Sequence, residues 1–212
     1  MPNFVQNPFF QVIVLFLIAS FFWYVTTDYD ALLKKKIFSL VTDGVFYFIF
    51  MTLGLNALFN LRGVIQEPYR VILFSSNVSW LGVITAVTYL MFHYRKEILN
   101  NMEIINGILG YFLFLGFFNH FFYYFKYRNL MSVLFIVVYF VLYLFHNKVK
   151  SIWKNEFLLL LMVVLHAVVM YFYSSVIIYY QIVFYPYQII SLFIWISLLL
   201  YWFRRRVSSK QK

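Results

Sequence analysis

The chain has 212 residues, of which 64% are hydrophobic, 25% are aromatic and only 11% are charged. A soluble domain has about 25% charged residues, so this composition excludes a globule surrounded by water and indicates a protein surrounded by lipid. The formal net charge of +10 does not indicate nucleic-acid binding, because basic loops at an anionic membrane surface produce the same excess. The chain has no Cys, which excludes disulfides, thiolate catalysis and cysteine-based metal sites.

Seven apolar stretches follow one another along the chain. A helix of about 20 apolar residues crosses a bilayer core of about 30 Å. We predict spans at residues 8–26, 37–58, 71–94, 104–125, 130–145, 157–175 and 185–203, followed by a basic tail at 204–212. Residues 157–203 contain no Lys, Arg, Asp or Glu, but one helix of that length would measure about 70 Å. This region is therefore divided by a turn within residues 174–187, where the uncharged piece 176–184 either extends a helix or lies in the outer interface.

The basic residues orient these spans. All 17 Lys and Arg lie between the apolar stretches or at the C-terminal end. The odd-numbered connections and the tail hold 13 of them, and the even-numbered connections hold 4. Because cytoplasmic loops retain Lys and Arg, we expect the amino terminus outside and the carboxyl terminus inside. Fusing the last two spans would place Arg204, Arg205 and Arg206 on the wrong side of the membrane.

The expected architecture is all-α. We predict a polytopic membrane protein with one transmembrane domain over residues 1–212, folded as a seven-helix bundle in a plasma membrane. Its abundance of Phe, Tyr, Ile, Asn and Lys is typical of an AT-rich bacterial genome. The bilayer itself is the expected partner, with anionic lipids at the basic inner face.

Polar side chains concentrate in the outer halves of spans 2, 3 and 4 and in the outer loop between spans 2 and 3. The ligand-binding candidates are Asn56, Arg62, Glu67, Arg70, Asn77, Asn119 and His120. Polar groups inside a membrane usually face the bundle interior. Two interpretations follow: a water-accessible pocket for a polar or anionic solute, or hydrogen bonds between helices worth about 1 kcal/mol or less each.

Small residues form a stripe along span 3. Ser75, Ser79, Gly82 and Ala86 recur at intervals of four, three and four residues, which places them on one helix face. Small side chains let helix backbones approach closely in lipid. We interpret the stripe as a helix-packing face, and the alternative is the wall of a substrate path.

Two titratable residues lie within spans. Asp43 is the carboxylate of span 2 and His166 is in the middle of span 6, and buried ionisable groups can mark a proton or polar relay. The alternatives are an interfacial pairing of Asp43 with Lys34 to Lys36 and a neutral, hydrogen-bonded His166. We expect His146, near the inner end of span 5, to be solvated.

No catalytic motif is present, and the His residues lack the converging ligands of a metal site. No span contains Lys, so a Schiff-base retinal is excluded, and we expect no cofactor. The leading hypothesis is a non-enzymatic accessory, sensory or assembly-factor subunit that packs against a membrane-protein partner. The first alternative is a small permease or substrate-binding transport component. The second is an enzyme acting at the outer leaflet, with His120 as base beside Ser76 or Ser79.

Overall fold

The computed structural model describes residues 8–68, 76–128, 130–148, 154–173, 177–179 and 182–208. Over these residues the chain forms, in order, α1 (Pro8–Thr26), α2 (Ala31–Phe59), α3 (Leu61–Gln66), α4 (Ser76–His93), α5 (Arg95–Asn100), α6 (Met102–Tyr127), α7 (Leu130–Lys148), α8 (Lys154–Tyr173), β1 (Ile177–Tyr179), β2 (Ile182–Phe184) and α9 (Pro186–Ser208). The expected helical class is therefore confirmed. The two short strands β1 and β2 pair in a two-stranded sheet, and the other elements of the described residues are helices.

Within the part of the chain that the structure describes, three helices are long and apolar enough to cross a membrane. They are α2, the Glu103–Tyr127 part of α6, and α7. Shorter apolar helical segments lie within α1, α8 and α9, at Val14–Thr26, Phe157–Val169 and Pro186–Trp202. These lengths and compositions indicate a membrane protein.

The burial pattern of α7 also indicates a membrane environment. Between Ser132 and His146 its exposed side chains are apolar: Val133, Leu134, Val137, Phe140, Val141, Leu144 and Phe145. Its buried face carries Ser132, Tyr139, Tyr143 and His146. In water such an arrangement would be unfavourable, because each exposed large apolar side chain forgoes about 1.5–3 kcal/mol of burial. In lipid the outward apolar face has no such cost, and the polar groups must turn inward.

Helix ends follow local signals. Asp30 caps α2, since its carboxylate accepts a hydrogen bond of 2.6 Å from the N–H of Leu33. Between α6 and α7, Arg128 has a φ of 53°, a left-handed conformation that ends a helix. Pro186 occupies the first position of α9, where its fixed φ and missing N–H cost nothing.

The segment before α9 differs from one of the two sequence expectations. Residues 177–179 and 182–184 are strands rather than a helical extension. Their sequences, Ile-Ile-Tyr and Ile-Val-Phe, consist of β-branched and aromatic residues that favour strands. The connection between predicted spans 3 and 4 contains the short helix α5, and the predicted tail continues α9 as far as Ser208.

The chain packs as two compact units. The first unit is Met1–Phe38, Glu103–Leu158 and Tyr179–Gln181, and the second is Ser39–Met102, Leu159–Ile178 and Ile182–Lys212. The first unit contains α1, α6 and α7, and its core includes Trp23, Ile37, Ile104 and Tyr111. The second unit contains most of α2, with α3, α4, α5 and α9, and its core includes Val78, Ala86, Leu199 and Leu200.

Candidate functional site

In the first unit, rings of α7 lie directly on the backbone of α6 at glycines. A Cβ atom at Gly110 would lie 2.8 Å from Nε2 of His146, and one at Gly116 would lie 2.8 Å from Cζ of Tyr139. Real Cβ atoms do not approach other atoms so closely, so only glycine fits at either position. Small residues give helices this close approach in lipid. The two glycines therefore determine how closely α6 and α7 pack.

The α6–α7 contacts run antiparallel along both helices. Beyond the contact of His146 with Gly110, Tyr143 packs on Phe114 with ring centroids 5.0 Å apart. Tyr139 then lies at Gly116, and Phe135 lies at His120. The side chains that α7 turns toward α6 are thus mainly polar and aromatic.

We call the buried hydroxyl and imidazole groups of this interface the α6–α7 polar column. Its members are His120 on α6 and Ser132, Tyr139, Tyr143 and His146 on α7, all buried. Ser132 and His146 are 14 residues apart, or about 21 Å along the helix axis. The column therefore runs along most of a bilayer core of about 30 Å.

His120 lies in the half of the polar column that is farther from His146. Its ring stacks on Phe135 at 4.5 Å and on Tyr139 at 5.5 Å between centroids. The neighbouring Asn119 is fully buried. The structure thus places both predicted outer-half residues of α6 inside the first unit, where the described ring contacts of His120 are aromatic. The side chain of Ser76 lies outside the described residues.

His146 lies toward the other end of the column, and its position contradicts the sequence expectation. We expected it to be solvated, but only 1% of its surface is exposed. The prediction is wrong because Gly110 leaves a recess in α6 that accepts the imidazole ring. The hydroxyl of the neighbouring Tyr143 is also buried, with no hydrogen-bond partner among the described residues.

The connection between α1 and α2 adds a titratable group at this end. The pKa of Tyr29 is raised from 10.0 to about 12, mainly by burial and also by the nearby charges of Glu103 and Tyr143. The ring of Tyr29 also lies next to the backbone of α6 at Gly107. Tyr29 and Glu103 therefore extend the polar column toward the end of the first unit where α6 begins.

A separate polar pair joins α1 to α6 inside the first unit. The Ser20 hydroxyl donates to the carbonyl of Phe16 at 2.6 Å, so the Tyr111 hydroxyl donates to Ser20. Trp23 meets the edge of the Tyr111 ring at 4.9 Å between centroids. This arrangement satisfies both hydroxyls, and we assign it a packing role.

In the second unit, the fully buried Gln188 organises the start of α9. Its side-chain oxygen accepts a hydrogen bond of 2.9 Å from the N–H of Tyr185, the reach-back bond of a capping box. Its amide group donates to Oδ1 of Asn77 at 2.8 Å. The backbone carbonyl of Gln188 accepts a hydrogen bond of 3.0 Å from the indole N–H of Trp80. Asn77, predicted as a ligand residue, is thus engaged in joining α4 to α9.

The predicted packing stripe lies in the second unit. Ser79, Gly82 and Ala86 are buried, and the side chain of Thr52 on α2 occupies the space in front of Gly82. Ser75 lies outside the described residues. The described part of the stripe therefore faces the interior of its own unit.

The remaining residues predicted to bind a ligand on α2 and α3 lie near one another in sequence. Asn56 is fully buried and accepts a hydrogen bond of 2.6 Å from the Asn60 amide. Arg62 is exposed on α3, and Glu67 is half-buried at its C-terminal cap. Arg70 lies outside the described residues. Asn56, Arg62, Glu67 and Asn77 thus belong to the second unit.

The two relay candidates also belong to the second unit. The Asp43 carboxylate accepts a hydrogen bond of 2.7 Å from the Tyr94 hydroxyl, whereas Lys34 donates to the carbonyl of Tyr24 at 2.9 Å. His166 is fully buried, and its Nδ1 lies 2.8 Å from the carbonyl of Met162 in the preceding turn of α8. A carbonyl only accepts, so Nδ1 carries a proton. The sequence did not indicate the hydrogen bond between Tyr94 and Asp43, whereas a hydrogen-bonded His166 was one of its two alternatives.

No group of three or more potential metal ligands occurs among the residues that the structure describes. No known protein family, curated protein or solved structure matches this chain. Sequence reasoning missed Gly110, Gly116 and the rings against them. It also missed Gln188, although a Gln two residues after Pro186 at a helix start is a recognisable capping signal.

Proposed function

We propose that this is a seven-span plasma-membrane protein, with its amino terminus outside, that conducts protons along the α6–α7 polar column. The observation that supports this proposal is the run of buried hydroxyl and imidazole groups along α7. Each of these groups can both donate and accept a hydrogen bond, which is the property that proton transfer needs. Buried ionisable residues in membrane helices commonly mark such routes.

The tight contacts at Gly110 and Gly116 favour protons over larger solutes. Rings that touch glycine backbone leave little width for a solute between α6 and α7. A proton moves by exchange between adjacent hydrogen-bonding groups and needs no such width. The buried Tyr143 hydroxyl, which lacks a hydrogen-bond partner in the described part of the chain, is available to bond a transient water.

The test uses purified protein in liposomes that contain a pH-sensitive dye, with a potassium gradient and ionophore as the driving force. We expect Tyr143→Phe to reduce proton flux to the rate of protein-free vesicles. The same change should leave stability unchanged or higher, because it removes a buried hydroxyl that has no described partner. Loss of proton flux without loss of stability would distinguish a role of Tyr143 in proton conduction from a role in helix packing.

His166→Phe is the matched control, because His166 is equally buried but donates within its own helix. We expect its flux per folded molecule to equal that of the wild type. Wild-type flux in Tyr143→Phe, or equal losses in both variants, would refute conduction through the column.

A second candidate is a subunit that packs against a membrane-protein partner. The span 3 stripe is buried within the chain, but a different small-residue position is open. Gly54 on α2 has no atom within 4 Å of a hypothetical Cβ. On the same face, Phe46, Phe50 and Leu58 are exposed, at positions eight and four residues before Gly54 and four residues after it. Such a notch between large side chains fits a neighbouring helix.

This candidate is tested by purification from the native host in mild detergent. A stoichiometric partner should co-purify with the wild-type protein and should be absent from the Gly54→Leu preparation. Val137→Leu adds bulk at an exposed site on α7 and should leave the partner bound. A wild-type preparation without a partner, or one that Gly54→Leu leaves intact, would rule out the notch.

A further inference from the structure

In the second unit, aromatic side chains of α2 and α4 meet beside a carboxylate. Tyr47 of α2 packs on Tyr89 of α4, with ring centroids 4.3 Å apart. One turn further along α4, the ring of His93 stacks on Tyr89 at 5.4 Å, with an interplanar angle of 12°. Tyr94 meets His93 edge-on at 4.8 Å, and its hydroxyl donates to the Asp43 carboxylate at 2.7 Å. We call these five residues the α2–α4 aromatic cluster.

Two groups of the cluster have a hydrogen available for a ligand. The Tyr47 hydroxyl donates to the Tyr89 hydroxyl at 3.2 Å, and a hydroxyl that accepts one bond still has its own hydrogen to donate. His93 is exposed, and its described contacts are to rings. A neutral imidazole carries one N–H donor and one acceptor nitrogen. The cluster therefore presents two hydrogen-bond donors on successive turns of α4.

The position of Asp43 along α2 gives the depth of the cluster. This helix is long and apolar enough to cross a membrane, and its first turns carry Lys34, Lys35 and Lys36. Asp43 lies seven residues after Lys36, or about 10 Å further along the helix axis. The cluster thus lies just inside the charged end of the helix, where Tyr side chains are also favoured. A ligand dissolved in the bilayer reaches this depth.

An apolar surface continues from the cluster toward the middle of α2. Phe46 and Phe50 follow Asp43 by three and seven residues, which places all three residues on one helix face. Both phenylalanine side chains are well exposed, at 58% and 69%. The face therefore changes from polar to apolar along the helix axis. This order fits an amphiphile whose polar end lies at the cluster and whose tail lies along α2.

We propose that the α2–α4 aromatic cluster binds the headgroup of an isoprenoid quinone. A quinone ring is flat and carries two carbonyl oxygens, so it accepts hydrogen bonds from Tyr89 and His93 and packs against aromatic rings. Its isoprenoid tail lies on Phe46 and Phe50. The Asp43 carboxylate disfavours an anionic amphiphile, because two like charges would lie side by side. The site depends on α2 crossing the membrane and is independent of proton conduction in the first unit.

The experiment measures binding of decylubiquinone with isotope-labelled carbonyl carbons to the full-length protein in phosphatidylcholine nanodiscs. Infrared difference spectra report the bonds directly, since a hydrogen bond lowers the stretching frequency of a carbonyl group. We expect saturable binding with both carbonyl bands lowered. His93→Phe keeps a ring against Tyr89 but removes the N–H, so it should weaken binding about fivefold, the effect of one neutral hydrogen bond. It should also return one carbonyl band to its unbonded frequency.

Tyr89→Phe should have the same effect on the other carbonyl band. Both replaced side chains are exposed, and circular dichroism checks that each variant is folded. Tyr171→Phe is the matched control, because it removes an exposed phenol hydroxyl from α8 and should change neither affinity nor spectrum.

Three results would overturn the proposal. The first is the absence of saturable binding, which would leave the two donors to interfacial water. The second is equal affinity and unshifted carbonyl bands in wild type, His93→Phe and Tyr89→Phe. The third is displacement of the quinone by an equal concentration of oleate or dodecyltrimethylammonium, which would show a general amphiphile surface. Binding is measured without a proton gradient, so the result does not depend on whether the first unit conducts protons.

Discussion

Replacing Gly116 by Ala tests the close contact between α6 and α7 directly. The added methyl group would overlap the ring of Tyr139, at 2.6 Å from Cδ1 and 2.8 Å from Cζ. That ring is rigid, only 3% exposed, and lies beside His120 at 5.5 Å between centroids. At such short distances the ring, the helix or its neighbours must shift to make room for the methyl group.

The expected magnitude comes from two opposing effects. Overpacking a core by one methyl group costs about 1–3 kcal/mol. Replacing Gly by Ala in a helix contributes about 0.5–1 kcal/mol in the opposite direction. We therefore expect Gly116→Ala to lower the free energy of unfolding by about 1–2 kcal/mol.

Gly54→Ala is the matched control. Gly54 lies in α2 with open space around its hypothetical Cβ, so only the helix-propensity effect remains. We expect this variant to be as stable as the wild type or more stable, by up to about 1 kcal/mol. The two substitutions are chemically identical, and their difference therefore isolates the contact with Tyr139.

The assay is reversible unfolding in mixed detergent micelles, followed by circular dichroism. A Gly116→Ala protein as stable as Gly54→Ala would refute the contact. A double-mutant cycle with Tyr139→Leu adds an independent check. Removing the ring should relieve the added methyl group, so the double variant should be less destabilised than the sum of the two single variants.

Three further predictions concern other parts of the chain. Burial raises the pKa of Tyr29 from 10.0 to about 12, so its phenol favours the folded state below pH 10 and this contribution is lost between pH 10 and 12. In alkaline unfolding experiments, Tyr29→Phe should therefore lose less stability over this interval than the wild type, and identical slopes would contradict this. Gln188→Leu should lower the free energy of unfolding by about 1–3 kcal/mol, measured against Gln66→Leu, which alters an exposed Gln on α3; equal stabilities would count against the capping role. Because the native chain has no Cys, single-cysteine labelling with an impermeant maleimide can report topology: Arg62→Cys should react in intact cells and Asn101→Cys only after lysis, and the reverse pattern would reject the orientation.

Composition and local pattern were enough to predict the helical class and the membrane environment. Both depend on properties that every segment carries by itself, namely apolar length and the absence of charge. Helix ends could also be predicted in part from the sequence: the first span was predicted at residues 8–26, and α1 extends over Pro8–Thr26. For α2, the prediction began at residue 37, but the helix begins at Ala31. Its first turns carry Lys34, Lys35 and Lys36, which the hydropathy pattern excluded from the span.

The sequence was a much weaker guide to which face of each helix packs against its neighbours. A helix that is apolar all round carries no stripe to show which face packs inward. His146 illustrates the difficulty, because a basic loop follows it and solvation was a reasonable expectation. Its burial depends on Gly110, 36 residues earlier in the chain, and on the antiparallel alignment of α6 with α7.

The sequence by itself therefore determined the environment of this protein, the type of its secondary structure and the approximate limits of its helices, because each of these follows from nearest neighbours along the chain. Only the tertiary structure decided that glycines of α6 accept the rings of α7. It also decided that Gln188 joins Asn77, and that Tyr47 of α2 meets Tyr89 of α4. These contacts depend on the rotation and register of helices about their axes, which a nearly uniform apolar surface does not encode locally.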